Sequence, residues 1–581
     1  MKFLNLKKSI AIFATVGLMF GSQSCGKDVL QEDVISLIGN EYLNSAKGFN
    51  DAVNAAYSTL RAYYGSQQGL TMTEYGTDIY ATGADGGYKG FHFYDGQLNP
   101  SVDFLANVWN EMYRGINTCN AVIARAATVP NVTDAVKAQR VAECKFLRGL
   151  YYFILFQQYG PVDLRLTETI LPTKTATRAT DKAMFDAIIA DLEAALPVLE
   201  AKKASADYGR ATKPACEHLL GYVYLTRNNT ASKGATDLDK AITYLSDVVN
   251  GNYGFALLTD FASVFDENNQ VNNEVVFACQ YTTDPSTNTP AIDNNGNTGG
   301  NNLHLFFGMQ YDVQVGMKRD VNYGRPFKRL RPTKYLIETA FADKTNDSRF
   351  KKSFRDTWLC NNPGTVTSFA LDTTKGTTKG GPKLYASINF KAGDTALFIP
   401  TYDMSPAERE TKKYQVIVPG FATTGGFYNE AIFFTLQKFF DTKRPDLTYT
   451  HGSRDYFIFR LADTKLLLAE AYLLAGKRPE ALAQVNDVRK RAAFAGKEAA
   501  MTILDAQLDM NFIMEERARE LAGEQMRWMD LKRWGKLVER VKLYNPQAAA
   551  IKDMHNVRPI PQPQIDLTDG GAASFPQNTG Y

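Results

Sequence analysis

The 581 residues are 44% hydrophobic and 22% charged, the make-up of a globular protein with a substantial core. The 65 basic residues nearly match the 62 acidic ones, leaving a formal net charge of +3. That balance argues against a polyanionic partner, since nucleic-acid binders present a net basic face.

At the start of the chain, Lys2, Lys7 and Lys8 precede an apolar run over residues 10–20. The run has the length of a signal-peptide core and is too short to cross a bilayer as a helix. Small and polar residues lead from Gly21 to Cys25, the position at which a bacterial lipoprotein is cleaved and acylated. Ser22 stands where such signals usually carry Leu. Residues 1–24 therefore read as a signal peptide and residues 25–45 as a lipidated flexible leader. No later apolar run is long enough for a membrane-spanning helix, so acyl chains on Cys25 are the expected attachment to a membrane.

From residue 46 to about 280 helical periodicity dominates. Leu105, Val108, Met112, Ile116 and Cys119 recur every three or four residues and mark one helical face. The pattern returns at about 430–545. The two stretches share a degenerate repeat, in which Leu220, Gly221, Tyr224 and Leu225 are echoed by Leu468, Ala469, Tyr472 and Leu473. Each is followed by a second amphipathic segment, around Ala241, Leu245 and Val248 and around Ala481, Val485 and Val488. Alternating small and large residues on paired helices is the logic of tetratricopeptide packing, where each pair exposes an apolar face for its neighbour. The expected fold is mostly α: a tetratricopeptide-like helix-pair scaffold interrupted by a loop-rich lobe at about 281–430 and ending in an irregular tail, 546–581. The lobe is rich in Gly, Asn, Thr and aromatics. Apolar runs at 274–281 and 396–402 read as isolated strands.

The strongest candidate for a ligand surface is the segment 71–99. It places Tyr75, Tyr80, Tyr88, Phe91, Phe93 and Tyr94 among glycines, with Asp78, Asp85, Lys89 and His92 able to hold polar groups. Flat rings offer apolar platforms for sugar faces or peptide side chains. A second candidate is 281–323, with Tyr281, His304, Phe306, Phe307 and Tyr311, and a third is Trp358 beside an Asn-Asn-Pro-Gly turn. The structural alternative is that such rings pin loops to the scaffold. Trp109, Trp528 and Trp534 fall at apolar helical positions and are expected to serve the fold. Glu515, Glu516, Glu520 and Glu524, with Arg517, Arg519 and Arg527, read as an ion-paired helix face. Cys119, Cys144 and Cys216 read as small buried hydrophobes. No nucleophile elbow, phosphate loop, dinucleotide fingerprint or zinc motif occurs, and the five His form no local ligand pattern. No catalytic residue, metal or cofactor is expected.

Several segments together resemble the SusD/RagB nutrient-uptake lipoproteins over nearly the whole mature length. They are Trp109-Asn-Glu-Met-Tyr-Arg-Gly-Ile-Asn117, the run from Ala142 to Tyr152, Phe156-Gln-Gln-Tyr-Gly-Pro-Val162 and Gly209-Arg-Ala-Thr-Lys213. They continue with the run from Arg460 to Ala471, Asn486-Asp-Val-Arg489, Glu516-Arg517 with Glu520-Leu521, the run from Arg527 to Trp534, and the tail Gln577-Asn-Thr-Gly-Tyr581. Thr579 replaces a Pro expected before the final Gly-Tyr. The resemblance implies an outer-membrane lipoprotein facing the cell exterior. Such proteins cap a SusC-like TonB-dependent transporter and hand it captured oligosaccharide, or peptide in the RagB-like branch. It also implies a shallow aromatic binding surface, built from loops before the Trp109-Asn110 segment and from the middle of the chain. The matching motifs lie in the scaffold, so no individual binding residue is carried over. A surface glycoside hydrolase and a purely structural scaffold are the competing readings.

Overall fold

The computed structural model describes residues 40–202, 207–284, 287–288, 300–366, 388–402, 404–418 and 428–581. Cys25 and leader residues 26–39 lie outside the described residues; the last part of the expected flexible leader instead forms a short helix, Asn40–Leu43, followed by the Ser45 cap.

The scaffold opens with α1 (Ala46–Ser58), α2 (Gln67–Glu74), α3 (Asp103–Arg125) and α4 (Asp134–Tyr159). It continues with α5 (Asp181–Ala195), α6 (Lys213–Asn228) and α7 (Asp237–Asn250). After the lobe come α8 (Leu461–Leu474), α9 (Arg478–Ala492), α10 (Met510–Glu520), α11 (Arg527–Arg533) and α12 (Leu537–Tyr544). Ser45, Ser66, Thr133, Thr180 and Thr212 cap helix N-termini, their hydroxyls accepting otherwise orphaned backbone N–H groups. From residue 146 to 159 α4 is buried on every face, as is α8 from 461 to 471, so these two helices run through the core.

The repeat seen in the sequence is a packing unit. Helix α6 pairs with α7, α8 pairs with α9, and α7 packs on α8. The two hairpins are therefore stacked neighbours, although the lobe separates them in sequence. Close approach explains the small residues: a Cβ added at Gly221 would lie 2.4 Å from the Leu245 side chain on α7. The second hairpin uses Ala469 and Ala481 in the same way, in a core shared with Val485 and Val488.

The lobe is held at its base by an antiparallel pair, β2 with β7. Among its strands, in chain order, are β1 (Tyr80–Thr82), β2 (Val275–Cys279), β3 (Leu330–Pro332), β4 (Thr357–Leu359), β5 (Thr395–Phe398), β6 (Gln415–Val416) and β7 (Tyr456–Arg460). The pair joins the chain entering the lobe to the chain leaving it, with Tyr456 opposite Cys279 and Arg460 opposite Val275. The expected strands at 274–281 and 396–402 appear as β2 and β5, and β5 pairs with β4 and β6.

The acidic and basic residues of α10 and α11 do more than decorate one helix. Arg460 reaches Glu274, Glu520 and Glu524 at 2.7–3.0 Å. Arg349 reaches Asp347, Glu516 and Glu520 at 2.7–2.9 Å. Arg517 bridges Asp463 and Asp530. These side chains are almost wholly buried, so the expected surface pairing is instead an interior network that ties lobe, strands and scaffold together. Each buried charge depends on its partners to offset lost hydration.

The tail is packed rather than loose. Gln564 accepts a hydrogen bond from the Trp109 indole at 3.1 Å, and Phe575 lies buried against that ring. Asn578 donates to the Tyr159 and Arg558 carbonyls. Trp109 and Trp528 are buried and Trp534 half-buried, in keeping with a role in the fold. Cys119, Cys144, Cys216, Cys279 and Cys360 are free and buried. No described helix is long and apolar enough to cross a membrane.

Candidate functional site

The three segments chosen from composition meet in the lobe. Strand β1 pairs antiparallel with β3, setting Tyr80 opposite Pro332 and Thr82 opposite Leu330. Beyond β1, Gly83 donates to the Arg329 carbonyl at 2.8 Å and Asp85 to the Lys328 carbonyl at 3.3 Å. The Ala84 N–H donates to Glu430 at 2.8 Å. Tyr311 stacks on Trp358 at 4.6 Å between ring centres, with planes 10° apart. The loop between α2 and α3 is thus joined to the 303–332 segment, and that segment to the Trp358 strand.

Many of the individual side chains point the other way from expectation. Asp78 is fully buried and is clasped by Arg527 at 2.7 Å and Arg540 at 2.8 Å. Burial opposes its charge, but the two guanidiniums outweigh that and hold its carboxyl below the ordinary range. It anchors the loop and has no free edge for a ligand. Tyr80 is fully buried, its ring edge-on to Phe307 at 5.3 Å. His92 is buried beside Gln547; desolvation pulls its pKa down to about 3, although that hydrogen bond opposes the shift. Tyr94 is buried and its hydroxyl donates to the Gly76 carbonyl. Tyr281 is buried with its hydroxyl on the Tyr64 carbonyl. Tyr311 donates to the Gly324 carbonyl at 2.6 Å, and the Trp358 ring beneath it is 0% exposed. These six rings and one carboxylate are corrected from surface to interior. The Gly-rich composition around them reflects tight turns through a packed lobe, where each ring fills core volume and the Tyr94, Tyr281 and Tyr311 hydroxyls find backbone carbonyls.

Asp85, Tyr88 and Phe93 do reach the surface: Asp85 is exposed, and the two rings are half-buried. Tyr88 stacks on Phe104 at 3.5 Å and its hydroxyl donates to Asp103 at 3.1 Å. Partial burial, then the Asp103 charge, push that hydroxyl up to about 12, so it remains a donor at neutral pH. Across the Asp85–Lys328 contact lies a half-buried ring that composition did not single out, Phe327. Its face is flanked by the guanidiniums of Arg325 at 5.0 Å and Arg329 at 4.6 Å. Tyr88 and Lys328 both hold left-handed backbone, φ 60° and 49°. Such strain in residues other than glycine persists only where surrounding contacts enforce it, and it clusters at functional surfaces. The remaining half-buried ring of this region is Tyr323, with Arg355 over its face at 4.7 Å. The signal for Phe327 was present in the sequence as aromatics interleaved with Arg, just past the end of the chosen segment.

A second concavity, of about 590 Å³, lies on the scaffold between α3, the 163–176 loop and the tail. Tyr113, Arg165, Ile170, Leu171 and Leu567 line it, and the last three are 66–77% exposed apart from their shared lining. Among the described residues no group of three or more His, Cys, Asp or Glu side chains is placed to hold a metal ion.

With this geometry in hand, comparison with known proteins decides the family. The sequence profile of the SusD family matches residues 273–581, more than half of the chain. The chain belongs to the SusD family. A second profile, described as starch-binding and associating with the outer membrane, matches residues 41–225. A SusD-like protein of Formosa agariphila is 24% identical over 597 residues, spanning 98% of this chain and 99% of that protein. The starch-binding protein SusD of Bacteroides thetaiotaomicron is 24% identical over 478 residues, 78% of this chain and 74% of that one. Among solved structures, a laminarin-binding SusD-like protein superposes with a TM-score of 0.66 at 22% identity, covering 92% of this chain and all of that one. Surface glycan-binding protein A from B. thetaiotaomicron, in complex with laminarihexaose, gives 0.64 at 18% identity, covering 92% and 99%. At such identities the superpositions establish the SusD-like fold, mostly helical with few short strands.

Proposed function

We propose that this protein is an outer-membrane lipoprotein, acylated at Cys25 and facing the cell exterior, that captures a glycan and passes it to a SusC-like TonB-dependent transporter. It acts by binding and not by catalysis. The observation that carries the reading is the junction of the two loops at the Asp85–Lys328 contact, where one loop carries the half-open Tyr88 and the other the half-open Phe327 with Arg325 over its face. Half-open rings give sugars an apolar platform, and the charged groups around them can orient hydroxyls or substituents. The binding described for several SusD-like relatives supports a glycan as the ligand.

Isothermal titration of the purified protein against polysaccharide fragments and oligopeptides tests this. Glycan binding is expected, abolished by Tyr88→Ala with Phe327→Ala, and no reducing-end product is expected to accumulate. Binding of oligopeptides alone would transfer the protein to the RagB-like reading. Released sugar would make it a hydrolase. Cys25→Ala is expected to move the protein from the membrane fraction to the soluble one, because an acyl chain supplies the membrane affinity. Membrane retention after a high-salt wash would place the anchor elsewhere or assign it to the transporter.

A further inference from the structure

Resting on the capture reading for this same face, we infer that the glycan is acidic, a polysaccharide carrying sulfate esters or uronate carboxylates. The near-neutral balance of the whole chain is no guide to a local face. Between residues 318 and 331 the sequence carries Lys and Arg at six positions against a single acid, Asp320. The structure sorts these cations by partner. Arg319 is spent on Asp312 at 2.6 Å, Arg329 lies over the Phe306 and Phe327 rings, and Arg331 lies buried near Glu430 with its guanidinium on Gln547 and the Tyr428 carbonyl. Lys318, Arg325 and Lys328 have no carboxylate partner among the described residues. Arg325 and Lys328 are half-buried and sit on either side of Phe327 in the chain, the ring over which Arg325 lies. Lys328 is also the residue held in left-handed backbone, and its carbonyl receives the Asp85 N–H from the loop that presents Tyr88.

A neutral sugar needs a ring platform and hydroxyl partners; it gives no reason to keep unpaired cations beside that platform. An anionic substituent does. A guanidinium matches the paired oxygens of a sulfate or carboxylate in a fork, and an ammonium adds a compact charge. With Phe327 and Tyr88 beneath the sugar rings, Arg325 and Lys328 would take the substituents.

The test is titration or affinity electrophoresis of the full-length mature protein against matched pairs. These are a sulfated galactan and its desulfated form, and a polyuronate and its carboxyl-reduced form, with laminarin as a neutral control and poly-glutamate as a polyanion without sugar. The wild type is expected to prefer at least one acidic member over its neutral counterpart by ~10-fold or more, and the double variant Arg325→Gln with Lys328→Gln to lose that preference, since hydrogen bonds to charged groups are the strong ones. The sulfated and uronate arms tell the two anionic groups apart. An unchanged melting temperature of the double variant keeps the comparison clean, and the single variant Lys328→Gln, which leaves the Arg325–Phe327 contact in place, is the fallback. Binding of neutral and acidic members alike, or an unaffected double variant, overturns this inference and leaves glycan capture standing. Poly-glutamate bound as tightly as any polysaccharide overturns it too, as unspecific charge attraction. A wild type that binds no glycan of either kind overturns both readings.

Discussion

Residues 75–82 and 83–89 are neighbours in the chain and read alike, both carrying Gly, Asp and Tyr, yet the fold sends the first inward and the second outward. In the inner stretch Asp78 meets two guanidiniums and Tyr80 meets Phe307. In the outer stretch Asp85 is exposed and Tyr88 is half-open, stacked on Phe104. The difference lies in what each stretch meets across the lobe. Asp78, just ahead of β1, is clasped from α11 and α12, and β1 itself is paired with β3, whereas Ala84 and Asp85 are held through their backbone N–H groups and leave their side chains exposed. Composition therefore marks where the lobe is, but it does not distinguish the rings that build its interior from those at its surface.

The sharpest way to break the comparison is Asp78→Ala. It strands the Arg527 and Arg540 charges in the interior and should destabilise by about 3–5 kcal/mol in urea unfolding. Asp85→Ala, seven residues on, provides the contrast below. Tyr80→Ala should cost a similar core-like amount, about 3–4 kcal/mol, by leaving a cavity against Phe307. If Tyr80→Ala melts like the wild type while ligand binding disappears, the inner and outer assignment is reversed.

His92, buried again just past the outer stretch, carries a pH signature. Its folded pKa of about 3 lies below the unfolded value near 6.5, so between those values the unfolded chain takes up a proton that the folded one refuses. Its contribution is fully present above pH 6.5 and is lost as pH falls toward 3. Between pH 7 and 5 the loss is about 2 kcal/mol. His92→Gln should flatten that part of the stability profile; a profile identical to the wild type's would mean that the imidazole protonates in place.

The outer stretch predicts the opposite balance. Phe327→Ala should weaken ligand binding by about 2 kcal/mol, the scale of a contact hot spot, with a smaller loss of stability because its ring is only half-buried. Asp85→Ala is the smallest effect, within about 0.5 kcal/mol in stability, because its side chain is exposed. A core-sized loss from either variant would put the boundary between the stretches beyond Phe327.

The helix-pair scaffold was legible in the sequence because its signal is local. Apolar spacing of three and four, Ser and Thr caps, and a small residue facing a large one at Gly221 and Leu245 all act within one helix or between helices adjacent in the chain. The lobe was legible as a region for the same reason: its composition breaks the helical period. Which of its side chains stand at the surface was decided only in three dimensions. Arg527, which buries Asp78, lies 449 residues further along the chain, and Gln547, which meets His92, lies 455 residues on. The same distance hid the nature of the α10 and α11 charges, whose partners Arg349, Arg460 and Arg491 come from three other parts of the chain. Local pattern fixes periodicity and capping because those energies come from neighbours in sequence. Burial of a ring or a carboxylate is set by whatever the folded chain brings against it, and only the tertiary structure supplies that partner.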